Sequence, residues 1–271
     1  MDFTLKTYKS LLNALVKQEY TFQTFQQFIE NPEKKSIILR HDVDKNPENS
    51  LRFAKIQHEL GIKGSYYFRI VPQSFNIEII EKIASLGHEI GYHYEDVDFA
   101  SQNHKIKDKS QKSKEEFEKE LAAKAIESFE KHLQELRKYY PVKTICMHGS
   151  PLSKYDNKLL WKYYNYKDYG IIGEPYFDVD FSKVLYLTDT GRRWDGDRVS
   201  IRDKVKSKKI KDKSFRKTTD IISAAEKGEL PNQIMFTFHP QRWTDNSTAW
   251  TKELVWQNTK NIIKFFLNRI R

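Results

Sequence analysis

The sequence predicts a single α/β domain whose strands form a closed or nearly closed barrel, on three observations. Seven strand-like runs recur along the chain, most of them rich in Ile, Val, Tyr and Phe. Helical patterns lie between several of them, and strands that alternate with helices pair in parallel. No Pro- or Gly-rich linker and no internal repeat divides the 271 residues, a length that suits one large domain.

In chain order, residues 2–30 read as two short helices, the first amphipathic, so residues 1–31 are expected to pack on the barrel as an N-terminal addition to one domain spanning 1–271. The expected strands are 36–42, 64–71, 88–95, 142–149, 169–174, 183–189 and 232–240. Residues 47–61 open with Pro near the first turn and close on Gly, the usual punctuation of a helix, and 76–87 close the same way. Residues 113–140 carry apolar side chains at spacings of three and four, which predicts a long helix. Shorter helical patterns follow at 156–165 and 214–228, and a last one covers 251–271.

Composition narrows the class. Hydrophobic residues (38%) can fill a sizeable core, while a charged fraction of 31% and a low mean hydropathy argue for a soluble protein. No apolar run approaches the roughly 20 residues needed to cross a bilayer. The first twenty residues lack the charged, apolar and small-residue regions of a signal peptide. A single cysteine, Cys146, excludes an intrachain disulfide, and the expected compartment is the cytoplasm. Much of the net charge of +10 sits at 103–120 and 202–217. These lysines either solvate the surface or steer an anionic partner such as a nucleotide-sugar, a phosphoglycan or a membrane surface. Nucleic acid is not an expected partner, because no recognition motif is present and aromatics are not interleaved with the lysines.

The chemistry gathers at strand ends. Ile37-Ile38-Leu39 runs straight into Arg40-His41-Asp42-Val43-Asp44. Strand alternation places Asp42 and Asp44 on one side. They sit where a barrel strand leaves the core, the end at which such folds carry reactive groups. Two carboxylates that close repel unless a positive group lies beside them, and a divalent metal is the economical candidate. His93, His148, Asp189 and His239 end four further strands. Imidazole and carboxylate together suit zinc, iron, nickel or cobalt, zinc foremost. Glu89, Gly91, His93 and Glu95 share one face of their strand, while His88 and His41 point the other way, and Cys146 has the parity of His148.

These motifs resemble the polysaccharide deacetylase (NodB-homology, carbohydrate esterase 4-like) superfamily over roughly residues 36–243. Gly87-His88-Glu89-Ile90-Gly91-Tyr92-His93 is similar to the family's GHEIGxH segment, and His41-Asp42-Val43-Asp44 resembles a variant of its first motif. Thr188–Trp194 loosely resembles the fourth motif, and Phe236–Pro240 the last. The resemblance implies a distorted (β/α)7 barrel. It implies Asp42 as general base, Asp44 and His93 as metal ligands and His239 as catalytic acid. It also implies a metal-dependent hydrolase removing an N-acyl group from a sugar or glycan precursor, as in surface polysaccharide biosynthesis. The family's second metal histidine falls at Val97 here, which cannot ligate. His148, at a strand end in an altered third motif, is the favoured replacement, with Glu95, His88 and His104 behind it. The altered motif also lacks the Arg that orients the base, for which Arg40 or Arg192 could substitute.

Trp194 and Trp243 flank motif residues and are candidates to stack on a sugar ring. Tyr66, Tyr67, Tyr92 and Tyr94 are read first as core. Arg192, with Arg193 and Arg242, either meets an anionic group on the substrate or pairs with Asp189, Asp195 or Asp197. His58 and His132 receive no role. Two other functions fit parts of the pattern. An Asp-x-Asp glycosyltransferase would use Asp42 and Asp44 but leaves three histidines unexplained. A non-catalytic carbohydrate-binding homologue accommodates Val97.

Overall fold

In the computed structural model, residues 1–103, 113–149, 153–195, 205 and 214–270 are described. His104 and much of both lysine-rich segments lie outside the described residues. A mostly parallel seven-stranded sheet curls into a half-barrel with helices packed on it, the distorted (β/α) barrel the sequence predicts. The strands are β1 (Thr21–Gln23), β2 (Ser36–Val43), β3 (Ser65–Phe68), β4 (Glu89–Tyr94), β5 (Ile145–Met147), β6 (Leu185–Thr188) and β7 (Gln233–Phe238). Their order is β5-β4-β3-β2-β7-β6, with β1 paired to the start of β2, and every pairing is parallel.

Local chemistry sets the helices. α1 (Leu5–Lys17) starts at Thr4, whose hydroxyl accepts from Thr7 N, and buries Tyr8, Leu11, Leu12 and Leu15 on one stripe. α2 (Phe25–Glu30) opens with a Thr24–Gln27 capping box. α3 (Pro47–Glu59) has Pro at its first turn, preceded by Asn46 at φ 52°, a left-handed conformation that Asn tolerates. α4 (Ile77–Ser85) is capped by Asn76, and α6 (Lys114–Arg137) by a Ser113–Glu116 box. α5 (Asp96–Asn103), α7 (Leu160–Tyr163), α8 (Pro175–Asp178), α9 (Thr218–Glu226) and α10 (Ser247–Ile270) complete the set.

Two elements differ from expectation. β1 stands between the two N-terminal helices, and its three residues are too few to show a period of two. The run 169–174 is not a strand. Gly170 turns left-handed, Pro175 starts α8, and only Thr144 and Gly173 pair between them. Glu174 supplies what the missing ladder would have, because its Oε1 accepts from Met147 N at 3.1 Å on β5. Among the described residues the sheet is therefore not closed by strand pairing between this segment and β6.

Alternation sorts the side chains into two layers. Leu39, Val43, Tyr66, Phe68, Ile90, Tyr92, Phe236 and Phe238 face the helices. Ile38, Tyr67, Cys146, Tyr186 and Met235 fill the concave interior with Phe25 and Phe28. His41 belongs to the outer layer. Its Nδ1 donates to Ser65 O (3.0 Å), leaving Nε2 to accept from Gln57 Nε2 (2.9 Å). Burial pushes this imidazole down to about 3, so it is a neutral core histidine.

Gly91 keeps the interior open below the strand ends. A Cβ there would stand 2.3 Å from Tyr67 Cε1 and 3.0 Å from Thr144 O. Gly91→Ala is expected to destabilise the protein by about 1–3 kcal/mol, the usual range for overpacking, read as a lower urea midpoint at unchanged m.

Candidate metal-binding active site

The concave face ends in a ring of ionisable groups, and the parallel register builds it. Asp42 pairs with Tyr67, which pairs with Gly91, so His93 stands one step further along β4, level with Asp44 beyond the end of β2. His93 pairs with Cys146, which puts His148 one step past β5. His239 follows β7, whose Phe238 pairs with His41. The register of these strands converts four separate strand ends into one cluster.

Asp44, His93 and His148 form a group whose ligating atoms lie within 4.8 Å of one another. Asp44 Oδ1 is 3.6 Å from His93 Nε2 and 3.6 Å from His148 Nε2. His93 Nδ1 lies 2.9 Å from Cys146 O. A carbonyl only accepts, so Nδ1 carries the proton and Nε2 presents a lone pair. His148 Nδ1 lies 2.9 Å from Glu95 Oε2, which leaves its Nε2 for Asp44's side of the cluster. Burial would raise Glu95, but His148 and the Arg69 guanidinium pull it down to about 2. Asp44 Oδ2 accepts from Gln241 Nε2 at 2.9 Å, whereas its Oδ1 is buried with no hydrogen-bond partner. Burial opposes ionisation of Asp44, yet the surrounding His93, His148 and His239 hold it well below the usual carboxylate range. An orphaned carboxylate oxygen facing two imidazole nitrogens fits a divalent cation of the zinc class.

Asp42 sits beside this group and is held by Arg40. Arg40 Nε donates to Oδ1 (2.8 Å) and Nη2 to Oδ2 (2.7 Å), a two-pronged pair with both residues buried. Burial would raise Asp42, but Arg40 and then His93 keep it below its ordinary value. Of the two arginines that could replace the motif's orienting guanidinium, Arg40 is the one placed on Asp42. Tyr176 stacks under Arg40, its ring 5.3 Å from the guanidinium carbon.

On the other side, His239 Nδ1 contacts Asp189 Oδ1 at 2.6 Å, and Asp189 Oδ2 accepts from His239 N (3.0 Å) and Trp243 Nε1 (2.6 Å). Arg242 Nη1 donates to Asp189 Oδ1 at 3.0 Å. Four donors thus surround a buried carboxylate. Burial would raise Asp189, but His239 and Arg242 keep it below the usual range.

The remaining candidates fall elsewhere. Trp243 has no exposed surface and Trp194 only 5%; both pack in an aromatic cluster with Phe3 and Phe238 behind His239. Trp194 Nε1 donates to Thr218 Oγ1. Arg192, at φ 56°, is sandwiched between Phe3 and Trp250 and donates to Trp250 O. Arg193 pairs with Asp195. His88 uses both nitrogens on the outer face, accepting from Gly64 N and donating to Ala54 O, so it does not join the cluster. Val97 is buried in the core at the start of α5. Sequence reasoning missed Arg69 and Gln241, which bind Glu95 and Asp44; neither ends a strand run on an Asp or His, the signal that located the others.

No family model matches the sequence, and no curated protein is detectably similar to it. Among solved structures, the chain is similar to a CE4 family pseudoenzyme from Bacillus anthracis, at 12% identity and TM-score 0.39, over 86% of this chain. The chain spans 63% of that pseudoenzyme's length. A mutant of the pseudoenzyme with restored enzymatic activity gives 12% identity and TM-score 0.38, over 86% of this chain and 65% of the other. The Xyl-CE4 domain of a multidomain xylanase from the hindgut metagenome of Trinervitermes trinervoides gives 11% and 0.38, over 84% of each chain. The chemistry of the site rests on its own residues.

Replacing Arg40 by Met strands a buried carboxylate and is expected to cost about 3–5 kcal/mol at pH 7. With burial left dominant, the folded-state pKa of Asp42 rises above its unfolded value near 4. The folded state then binds the extra proton, so the penalty shrinks as pH falls toward 4 and grows as pH rises. Urea unfolding of the metal-free variant at pH 7 and pH 4.5 measures this.

Proposed function

We propose that the chain is a metal-dependent hydrolase that removes an N-acyl group from a sugar or glycan precursor. The observation that carries this reading is the convergence of Asp44 Oδ1, His93 Nε2 and His148 Nε2, flanked by an ionised Asp42 and an Asp189-supported His239. Held by Asp44, His93 and His148, a divalent metal of the zinc class would polarise the acyl carbonyl and acidify a water.

The chain's own groups supply the proton transfers. Asp42 is ionised at neutral pH and takes a proton at Oδ2, which is 2.7 Å from Arg40 Nη2 and 3.8 Å from His93 Nε2. Arg40 fixes the plane of that carboxylate and so the direction of its free lone pairs. On the far side, Asp189 holds His239 by Nδ1 and leaves Nε2 to hand a proton to the departing amine. The reading keeps a cytoplasmic site of action, for which a single cysteine is the support.

One observation favours the non-catalytic alternative: both Asp42 oxygens are already engaged by Arg40. Each carboxylate oxygen accepts two hydrogen bonds, so the pair leaves capacity for a water. A glycosyltransferase would direct both Asp42 and Asp44 at one metal–diphosphate, and Asp42 is turned to Arg40 instead.

Elemental analysis is expected to find about one transition metal per chain in the wild type, and little in Asp44→Ala or His148→Ala. Asp42→Asn should retain the metal and lose about 10²–10⁴-fold in hydrolysis of N-acetylated sugars, the range for removing a general base. A wild type that holds metal yet hydrolyses no acylated sugar would move the assignment to the carbohydrate-binding reading.

A further inference from the structure

We infer that Arg69 and Glu95 are positioning residues for the metal centre, acting as one unit that fixes His148 and Asp44 relative to each other. The inference rests on the metal-site reading above and extends it to two residues outside the Asp44–His93–His148 group.

The two groups join four strand ends. Arg69 follows β3, Glu95 follows β4, and Asp44 and His148 lie past β2 and β5. Arg69 Nε donates to Glu95 Oε1 and Nη2 to Oε2, both at 2.7 Å. Its third nitrogen, Nη1, donates to the backbone carbonyl of Asp44 at 3.2 Å. The same guanidinium therefore grips the carboxylate behind one ligand and the main chain of another. Ser74 braces the fork from below: its hydroxyl accepts from Arg69 N at 3.1 Å and donates to Val43 O.

The outcome of this arrangement is directional. Glu95 Oε2 lies 2.9 Å from His148 Nδ1, an ion-pair contact whose angle falls outside hydrogen-bond geometry, and a carboxylate at that distance favours the proton on Nδ1 and a lone pair on Nε2. His93 reaches the same tautomer by a different route, through the Cys146 carbonyl. His148 needs such a brace more than His93 does. It stands beyond the end of β5, with 17% of its side chain exposed against 2% for His93. Planarity of the guanidinium is what allows one side chain to serve all three acceptors, which a lysine ammonium on a flexible stem does not reproduce.

Zinc affinity of the apoprotein, measured by competition with a chromophoric chelator, tests the inference. Glu95→Gln and Arg69→Met should each weaken binding about 10–100-fold, the usual cost of losing a partner behind a ligand. The double variant should lose little more than either single one, because the two residues act together. Arg69→Lys should recover part of the affinity. Thermal unfolding of each metal-free variant separates positioning from folding, since a merely structural role lowers Tm and leaves the affinity of the folded fraction unchanged. Wild-type affinity in the folded variants, or additive losses in the double variant, overturns the inference while the metal site stands. A wild type that binds no zinc overturns both.

Discussion

The Arg40–Asp42 pair is the interaction on which the rest of the site depends. A parallel strand buried on both faces has no water to solvate a charge, so a carboxylate on its inner side survives only with a cation in contact. Arg40 is two residues away on the same strand and therefore on the same face, which makes the pairing local and two-pronged. Buried pairs of this kind contribute little net stability, but removing one partner is costly. The pair thus locks the floor of the site. Asp42 stays ionised beside His93, and the next inward-facing carboxylate, Asp44, is left to the histidines.

Above that floor, the arrangement of donors is complementary. Each imidazole of the candidate metal group has an oxygen behind it, the hydrogen-bonded Cys146 O for His93 and the ion-paired Glu95 carboxylate for His148. Asp44 Oδ1 faces them buried and without a hydrogen-bond partner. Lone pairs that converge with no proton between them repel, and the cost of burial is offset only when something positive occupies the centre. Opposite, Asp189 organises His239 with help from Trp243 and Arg242. Trp243, whose position beside a motif suggested contact with sugar, instead spends its one donor on this carboxylate.

Val97 stands where the resembled motif carries a histidine, and it cannot ligate a metal. In the segment after β4 the apolar side chain joins the core, while His148, just past the neighbouring strand β5, stands beside Asp44 and His93. Neighbouring barrel strands are only about 5 Å apart. A ligand can therefore move from one strand end to the next without moving the centre, provided its ring is turned correctly. Glu95, two residues after His93 and on its face, makes that turn.

Much of this was legible in the sequence. Strand-like runs at 36–42, 88–95 and 232–240 marked strands by their Ile, Tyr and Phe content, and the Asp and His at their ends marked the site because reactive groups gather where a barrel strand leaves the core. Alternation alone put Asp42 with Asp44 and separated His93 from His88. The run 169–174 misled, since Tyr-Gly-Ile-Ile-Gly-Glu has strand composition but lies between a left-handed glycine and a proline. β1 was too short to have a period. Register, stagger and contact across strands were outside the reach of any local pattern. That Arg40 rather than Arg192 meets Asp42, that Trp194 and Trp243 are buried, and that Arg69 spans Glu95 and Asp44 all depend on which residues pack against each other at long sequence separation. Sequence by itself determined the chemistry available at each strand end, because side-chain type and parity are local properties. Only the tertiary structure decided which of those groups meet, because their distances are set by how neighbouring strands are staggered around the barrel.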